Sequence, residues 1–228
     1  MPGITRELTM KLFRPIVPGT TARDRILACV GAFVGIVATG LGAQFTLGSN
    51  TAAPMLMIAS MGASAVLVFA VPASPLAQPW PVIGGNVVSA TVGVAVATLF
   101  DDPMFGGGVA VGTAIALMSL LRCLHPPGGG TALIPVLAGA GSPAAAWLFP
   151  LLPVALNAIL LVAVAMVFHR FSGHLYPRVI TSFSAPRLSI SDEDIAHALS
   201  QLHEPLDVNP VDLRTIATLA AEHARRRG

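Results

Sequence analysis

A stretch of 143 residues between Ile26 and Phe168 carries only three formal charges, at Asp101, Asp102 and Arg122. A soluble domain has about a quarter of its residues charged, because its surface must face water. In this chain of 228 residues the charged share is 11%, and hydrophobic residues make up 54%. Such a stretch has too little polar surface to enclose a core in water, so its outer surface must face lipid. The same composition excludes a disordered chain.

The apolar stretch divides into segments whose lengths suit a membrane. An α-helix rises 1.5 Å per residue, so about 20 residues cross the hydrocarbon core. The sequence therefore predicts an all-α membrane protein, a helical bundle of four to six transmembrane segments. We place these segments at Ile26–Leu47, Pro54–Val71, Val82–Phe100, Phe105–Leu121, a short helix from Gly128 to Ala140, and Trp147–Phe168.

Two segments at an offset of 67 residues resemble each other. Gly62-Ala-Ser-Ala-Val-Leu67 aligns with Gly129-Gly-Thr-Ala-Leu-Ile134, and each is preceded and followed by a longer apolar segment. Six aligned positions can coincide by chance in a chain this rich in Gly and Ala, but the matching flanks favour a true repeat. The chain is then two units of three segments, about residues 26–100 and 105–170. Three crossings make the units inverted relative to each other, as in many secondary transporters.

Charge placement bears on the number of crossings. The basic N-terminus and the basic residues after Phe168 should both be cytoplasmic by the positive-inside rule. If all six segments cross, Asp101 and Asp102 fall outside and Arg122 falls inside, in agreement with that rule. If the two short segments dip in and return, only four span, and Arg122 falls outside, which agrees less well. We expect six segments in a bacterial inner membrane, with both termini cytoplasmic.

The chain has three regions by composition. Residues 1–25 form a basic cytoplasmic or interfacial segment, in which residues 4–13 have helical spacing and can lie on the membrane surface. Residues 26–170 form the transmembrane domain. Residues 171–228 form a cytoplasmic tail for which we predict two amphipathic helices, one after Ser189 or Ser191 and one from Asn209. Their apolar faces require a partner, and we expect a homodimer.

The run from Arg122 to Thr131 is the most informative part of the sequence. Its centre, Pro126-Pro127-Gly128-Gly129-Gly130, cannot continue a lipid-facing helix, and irregular backbone at membrane depth survives only inside protein or beside a wet cavity. The short helix that follows can present free backbone N–H groups and a positive dipole end inside the membrane. Together with the Thr131 hydroxyl this forms a candidate anion site. The alternative is a tight turn whose glycines serve packing alone.

Several other residues of the apolar region have two possible interpretations each. Arg122 is either an interfacial anchor or an anion attractor at a pore mouth. His125 is either a cap-like hydrogen bonder or a ligand for substrate and protons. Gly62, Ala63 and Ser64 would supply a matching half-helix end in the first unit. Asn86 is a further candidate substrate ligand, although Asn86 and Asn157 can both act as polar contacts between helices.

The sequence motifs do not favour an enzyme. Gly62-Ala-Ser-Ala-Val66 lacks the final glycine of a nucleophile elbow, and the His125-Pro-Pro-Gly-Gly-Gly run lacks the lysine of a phosphate loop. The apolar spans contain no pair of carboxylates for acid–base catalysis. Cys123 and His125 form at most half of a metal site. We therefore expect no enzyme activity, no cofactor, no metal and no nucleic-acid partner.

These residues resemble the HPP family of membrane proteins, named for the motif found here as His125-Pro126-Pro127. The resemblance covers about residues 20–180. It rests on Gly62-Ala-Ser-Ala-Val-Leu-Val-Phe69, Ser74-Pro-Leu-Ala-Gln-Pro79, Val82-Ile-Gly-Gly-Asn86 and Leu124-His-Pro-Pro-Gly-Gly-Gly-Thr-Ala-Leu133.

The resemblance implies about four membrane helices and a transport function, since plastid and cyanobacterial members are associated with nitrite. Some members have His where this chain has Asn86, and Ala where it has Gly130, which leaves the substrate open. Many bacterial members continue into paired CBS domains. Residues 189–228 resemble the linker that leads to those domains, and we expect the CBS domains themselves to be absent here.

The sequence thus predicts a transporter or channel for a small monovalent anion, with nitrite as the leading candidate. The alternative is a membrane sensor or scaffold that signals through its cytoplasmic tail. A third reading is a membrane protein that binds a lipid or a metabolite. The expected partners are a small inorganic anion, the lipid bilayer and a second copy of the chain.

Overall fold

A computed structural model describes residues 21–47, 53–138 and 143–178, together with residues 213, 216 and 217. The predicted surface helix at residues 4–13, the two tail helices and the end of the short helix at residues 139–140 lie outside these residues. The chain divides into two compact units, and the unit treated below is Thr21–Val179. The described part of this unit is mainly helical, as the lengths of the apolar segments predict.

Seven α-helices make up the described part of this unit. Prolines occupy the first turn of several of them, where a missing N–H costs nothing, and Asp102 caps one helix by accepting a hydrogen bond from the Phe105 N–H at 2.7 Å. The helices are α1 Ala22–Leu47, α2 Ala53–Ala70, α3 Pro79–Leu99, α4 Pro103–Leu120, α5 Gly128–Ala138, α6 Pro143–Leu148 and α7 Leu156–Ser172.

The last predicted segment is more complex than one helix. Helix α6 begins before the predicted start at Trp147, and a π-helical stretch, Pro150–Ala155, joins it to α7. Pro150 and Pro153 lack the N–H groups of regular α-helical bonding, so the wider turn is the expected response of the backbone.

Among the described residues, four stretches are long and apolar enough to cross a membrane: Ala22–Phe45, Pro79–Leu99, Pro103–Leu120 and Ala146–Ser172. Large apolar side chains point outward from them, and Phe45 of α1 is 91% exposed. Exposed side chains of this size fit hydrocarbon and not water. The protein is a multi-pass, all-α membrane protein.

Contacts at one end of the bundle fix the direction of each helix. Asp24 Oδ1 at the start of α1 lies 3.7 Å from His174 Nε2 after α7. The Tyr176 hydroxyl donates to the Ala77 carbonyl between α2 and α3 at 2.9 Å, and the His125 ring lies 2.9 Å from the neighbouring Leu76 carbonyl. The start of α1, the connections after α2 and α4, and the end of α7 therefore share one end, which we call the His125 end.

The short helices α2 and α5 run through the bundle and do not return to the side they came from. Helix α5 begins after His125, and its Val136 is packed at the opposite end beside Phe100 and Gly106. Helix α2 ends at the 72–78 connection, at the His125 end. Both helices thus run in the directions that the six-segment arrangement requires, while the helices long enough to cross by themselves among the described residues are four. The six crossings stay a prediction.

The packing repeats between the two units. Helix α1 packs on α2 in the first unit, as α4 packs on α5 in the second. The third helix of each unit packs on the other unit: α3 contacts α4 and α5, whereas α7 contacts α1 and α2. Equivalent helices run in opposite directions, so the two units are inverted repeats that exchange their third helices.

Glycines allow the closest approaches of these helices. A Cβ atom on Gly31 or Gly35 of α1 would lie 2.5 Å or 2.7 Å from the Phe69 ring of α2. A Cβ atom on Gly93 of α3 would lie 2.2 Å from the Ala132 carbonyl oxygen of α5. Helix α5 is thus held against α3 backbone to backbone, which positions the segment described next.

Candidate functional site

The turn between α4 and α5, which we call the HPP turn, comprises residues 121–127. Helix α4 ends with the Cys123 N–H bonded to the Met118 carbonyl at 2.9 Å, and Arg122 has a left-handed backbone with φ of 54°. Gly85 of α3 faces this turn, because a Cβ atom there would lie 2.6 Å from His125 Cβ and 2.7 Å from the Cys123 carbonyl. The irregular backbone is therefore packed against protein, as the sequence requires of a non-helical segment in a membrane.

The N-terminal amides of α5 are largely occupied. Gly128 N–H donates to the His125 carbonyl at 2.8 Å, Gly129 N–H to Pro126 at 3.1 Å, and Thr131 N–H to Pro127 at 3.2 Å. The premise of a fully free N–H end is thus wrong, because the turn supplies its own carbonyl acceptors. Gly130 N–H is the one amide of this first turn for which the described residues offer no backbone acceptor.

The His125 side chain is buried, with 0% of its surface exposed. Its Nδ1 lies 2.9 Å from the Leu76 carbonyl and its Nε2 lies 2.8 Å from Ser64 Oγ. A carbonyl only accepts, so Nδ1 carries a proton, and in the neutral ring Nε2 accepts from the Ser64 hydroxyl. Both ring nitrogens are engaged with protein, so His125 holds α2, the 72–78 connection and the HPP turn together.

A second polar group centres on Thr131 of α5. Its hydroxyl donates to Asn86 Oδ1 of α3, and its oxygen is 2.5 Å from Ser60 Oγ of α2. Because the Thr131 proton is used by Asn86, the Ser60 hydroxyl is the donor in the second bond. Asn86 Nδ2 donates to the Val82 carbonyl at 2.8 Å. Three helices from both units thus share one buried hydrogen-bonded chain.

Gly62, Ala63 and Ser64 lie in the middle of α2 and not at a helix end. Helix α2 begins at Ala53, so the amides of these residues belong to a continuous helix. The expectation of a matching half-helix end is wrong, because neither glycine nor serine at these positions breaks the helix. The structure nevertheless brings this segment into contact with the HPP turn and α5, since Ser64 bonds His125 and Ser60 bonds Thr131.

The crossing of α2 and α5 lies deep in the bundle. Ser60 is ten residues before the end of α2 at Ala70, which is roughly 15 Å of helix and about half of the ~30 Å hydrocarbon core. The described part of helix α5, Gly128–Ala138, has 11 residues, which is about 16 Å of helix. Residues 139–142 lie outside the description, so a helix too short to span the core stays a prediction.

The glycines of the HPP run differ in their surroundings. A Cβ atom on Gly128 would lie 2.6 Å from Ser89 Oγ and 3.0 Å from Met118 Sδ, so this glycine is required for packing. A Cβ atom on Gly129 would meet Val111 of α4 at an ordinary 3.9 Å. A Cβ atom on Gly130 would meet nothing within 4 Å, because this residue borders an open groove.

The groove between α2 and α5 has a volume of about 570 Å³. Its lining residues are Ala59, Ser60, Ala63, Leu67, Pro126, Pro127, Gly130, Leu133, Ile134 and Leu137. The sequence did not single out Ser60, although its spacing of four residues from Ser64 places both hydroxyls on one helix face. No sequence pattern indicated that the Leu76 carbonyl would accept a hydrogen bond from His125.

The electrostatics of the crossing come from dipoles and not from full charges. The buried polar side chains around it are Ser60, Ser64, Asn86, His125 and Thr131. Arg122 is exposed at the His125 end. No cluster of three or more His, Cys, Asp or Glu side chains suited to a metal ion occurs within the described residues.

A family model for the HPP transmembrane region matches residues 17–177 of this chain. The chain belongs to the HPP family. The match spans the described bundle, including the motif Gly62–Phe69 of α2 and the HPP turn.

Two relatives of this HPP protein are described as transmembrane proteins of Dictyostelium discoideum. One is 39% identical over 121 residues, which are 51% of this chain and 42% of the relative. The other is 34% identical over 148 residues, which are 63% of this chain and 46% of the relative. The matched region thus spans less than half of each relative's length. No solved structure matches the chain.

Proposed function

We propose that this HPP protein is a transporter or channel for a small monovalent anion, with nitrite as the leading candidate. One observation carries the proposal: the broken helix α5 crosses α2 of the inverted repeat at mid-depth, beside the groove bordered by Ser60 and Gly130. Secondary transporters place their sites at such repeat interfaces, on helices that stop inside the membrane.

The chemistry of the crossing suits a weakly bound monovalent anion. The donors available beside the groove are the Gly130 N–H, for which the described backbone offers no acceptor, and the dipole of the α5 N-terminus. A dipole end corresponds to about half an elementary charge, which is too little to compensate the desolvation of a divalent anion. A site without a fixed cation also releases its ion readily, as conduction requires.

The groove has room for an ion that keeps part of its water. Its volume of about 570 Å³ exceeds that of one water molecule, about 30 Å³, many times over. The apolar walls formed by Ala63, Leu133 and Pro126 favour ions with a weak hydration shell. Nitrite, nitrate and formate meet this condition better than sulfate or phosphate does.

Charge placement supports the orientation that we propose. The His125 end carries Arg23, Arg25, Arg122, Arg170 and Arg178, whereas the loop between α3 and α4 carries Asp101 and Asp102. By the positive-inside rule the His125 end is cytoplasmic. We place both chain termini there, in a bacterial inner membrane, and expect a homodimer, which native mass spectrometry in mild detergent tests.

The proposal is tested with purified protein in proteoliposomes. Uptake of nitrite, nitrate, formate, chloride and sulfate is compared with that of protein-free vesicles. We expect protein-dependent flux of at least one of the monovalent anions and none of sulfate. Folded protein that moves none of them would contradict the proposal and favour the sensor or scaffold alternative.

A further inference from the structure

Three consecutive residues in the connection between α2 and α3 bond to two remote parts of the chain. The Leu76 carbonyl accepts from His125 Nδ1 at 2.9 Å, and the Ala77 carbonyl accepts from the Tyr176 hydroxyl at 2.9 Å. The Gln78 side-chain oxygen accepts from the Arg178 N–H at 2.8 Å. The 72–78 connection therefore touches the HPP turn on one side and the chain leaving α7 on the other.

The connection is stiff enough to pass on a displacement. Ser74 Oγ accepts from the Leu76 N–H at 3.3 Å, and Gln78 Nε2 donates to the carbonyls of Pro72 and Ser74 at 2.9 Å each. Prolines at positions 72, 75 and 79 fix the φ angle along it. Ser74 and Ala77 are buried, with 2% and 0% of their surfaces exposed. Movement at Ala77 and Gln78 is thus transmitted to Leu76 and is not absorbed by bending.

The segment after α7 has defined attachments of its own. His169 Nε2 near the end of α7 lies 2.9 Å from the Val68 carbonyl of α2, and His174 Nε2 lies 3.7 Å from Asp24 of α1. Tyr176 is 9% exposed, and its ring packs 5.4 Å from that of His169. Residues 174–178 are consequently part of the bundle, and the remaining fifty residues of the chain follow directly after them.

We propose that the 72–78 connection couples residues 174–178, which follow α7, to the HPP turn, so that a displacement of this segment regulates the crossing of α2 and α5. A pull on residues 176–178 displaces Ala77 and Gln78, and the Leu76 carbonyl moves with them. His125 then loses a bond or shifts with Leu76, which alters its bond to Ser64 and the start of α5. The predicted effect on transport rests on the proposed function, whereas the mechanical coupling itself does not.

Hydrogen–deuterium exchange of the whole chain in detergent tests the coupling without any transport assay. Tyr176→Phe keeps the buried ring and removes only the bond to Ala77. We expect exchange at the bonded amides of residues 128–131 to become about two- to tenfold faster, the factor that one lost hydrogen bond provides. Residues 100–106 at the opposite end should exchange at the parent rate.

Thr39→Val is the matched control, since it removes a buried hydroxyl that bonds the Gly35 carbonyl within α1. It should leave exchange at residues 128–131 unchanged. Unchanged exchange there in Tyr176→Phe, or an equal rise at residues 100–106, would overturn the coupling. If nitrite flux is measurable, Tyr176→Phe should also change it at least about twofold; if the parent moves no anion, the exchange result still decides the coupling.

Discussion

Ser60 and Thr131 are hydrogen-bonded to each other where α2 of the first repeat crosses α5 of the second. The residues equivalent to them by the offset of 67 are Pro127 and Ser64, and these also lie at the crossing. The two repeat-related segments therefore meet at the pseudo-symmetry axis of the bundle. The crossing at this axis holds the buried Ser60, Ser64 and Thr131 side chains and borders the groove, which is why we place the function there.

Thr131→Val is expected to destabilise the protein by about 1–3 kcal/mol, because Asn86 Oδ1 loses its donor inside the bundle and Ser60 keeps only its 3.3 Å bond to the Pro127 carbonyl. Thr131→Ser keeps the hydroxyl and should cost less. Thr91→Val on α3 is the control, since this exposed hydroxyl bonds only the Val87 carbonyl of its own helix. Thermal unfolding in detergent measures all three, and equal shifts for Thr131→Val and Thr91→Val would contradict the buried chain.

Gly93→Ala is expected to destabilise the protein by about 1–3 kcal/mol through overpacking. Its Cβ atom would lie 2.2 Å from the Ala132 carbonyl oxygen, so α5 must move away from α3. Gly108→Ala on α4 meets nothing within 4 Å and should stabilise its helix by about 0.5–1 kcal/mol. Opposite shifts in the unfolding temperature are the predicted result. A tolerated Gly93→Ala would show that α3 and α5 are not in backbone contact.

Arg122→Gly separates backbone strain from charge. The left-handed conformation at this residue, with φ of 54°, costs an L-residue about 1 kcal/mol that glycine does not lose. We expect Arg122→Gly to be at least as stable as the parent but slower in anion flux, and Arg122→Lys to retain flux. Parent-like flux in Arg122→Gly would leave Arg122 as an interfacial anchor.

Cysteine labelling tests the six-segment arrangement and its orientation. In a background without Cys29 and Cys123, Asp102→Cys should react with a membrane-impermeant maleimide from outside intact cells. Arg178→Cys should react only after the membrane is opened. Labelling of both from the same side would contradict six crossings, whereas exchanged sides would reverse only the orientation.

Charge and apolar length were sufficient to predict the bundle. Each helix from α1 to α5 begins and ends within a few residues of the predicted span, because the lipid core dictates both length and composition. The inverted repeat could also be predicted, from the match between Gly62–Leu67 and Gly129–Ile134. The exchange of third helices between the units could not be predicted, because the choice of packing partner leaves no periodic pattern in the sequence.

The contact between the Gly62–Ser64 region and the HPP run could be predicted from the sequence, but its hydrogen bonds could not. The sequence did not indicate that the Gly128 and Gly129 amides donate hydrogen bonds to the carbonyls of His125 and Pro126, because such turn bonds depend on the backbone dihedral angles. His125 was assigned to ligand or hydrogen-bonding roles without the Leu76 carbonyl, a backbone group that every residue carries. Ser64 was singled out for a helix end, whereas its structural role is the bond to His125.

The central claim is that anions pass the groove between α2 and α5, and a matched pair of alanines tests it most directly. Ala63 of α2 and Ala116 of α4 are both exposed in the middle of a helix, but only Ala63 lines the groove. Leucine at position 63 fills space next to Gly130, whereas leucine at position 116 extends outward from α4.

The initial rate of nitrite uptake into proteoliposomes is measured for both variants at equal amounts of folded protein. We predict that Ala63→Leu lowers the rate by about tenfold or more, which corresponds to at least about 1.4 kcal/mol in the barrier. Ala116→Leu should keep the parent rate. Equal rates in Ala63→Leu, Ala116→Leu and the parent would contradict passage through the groove.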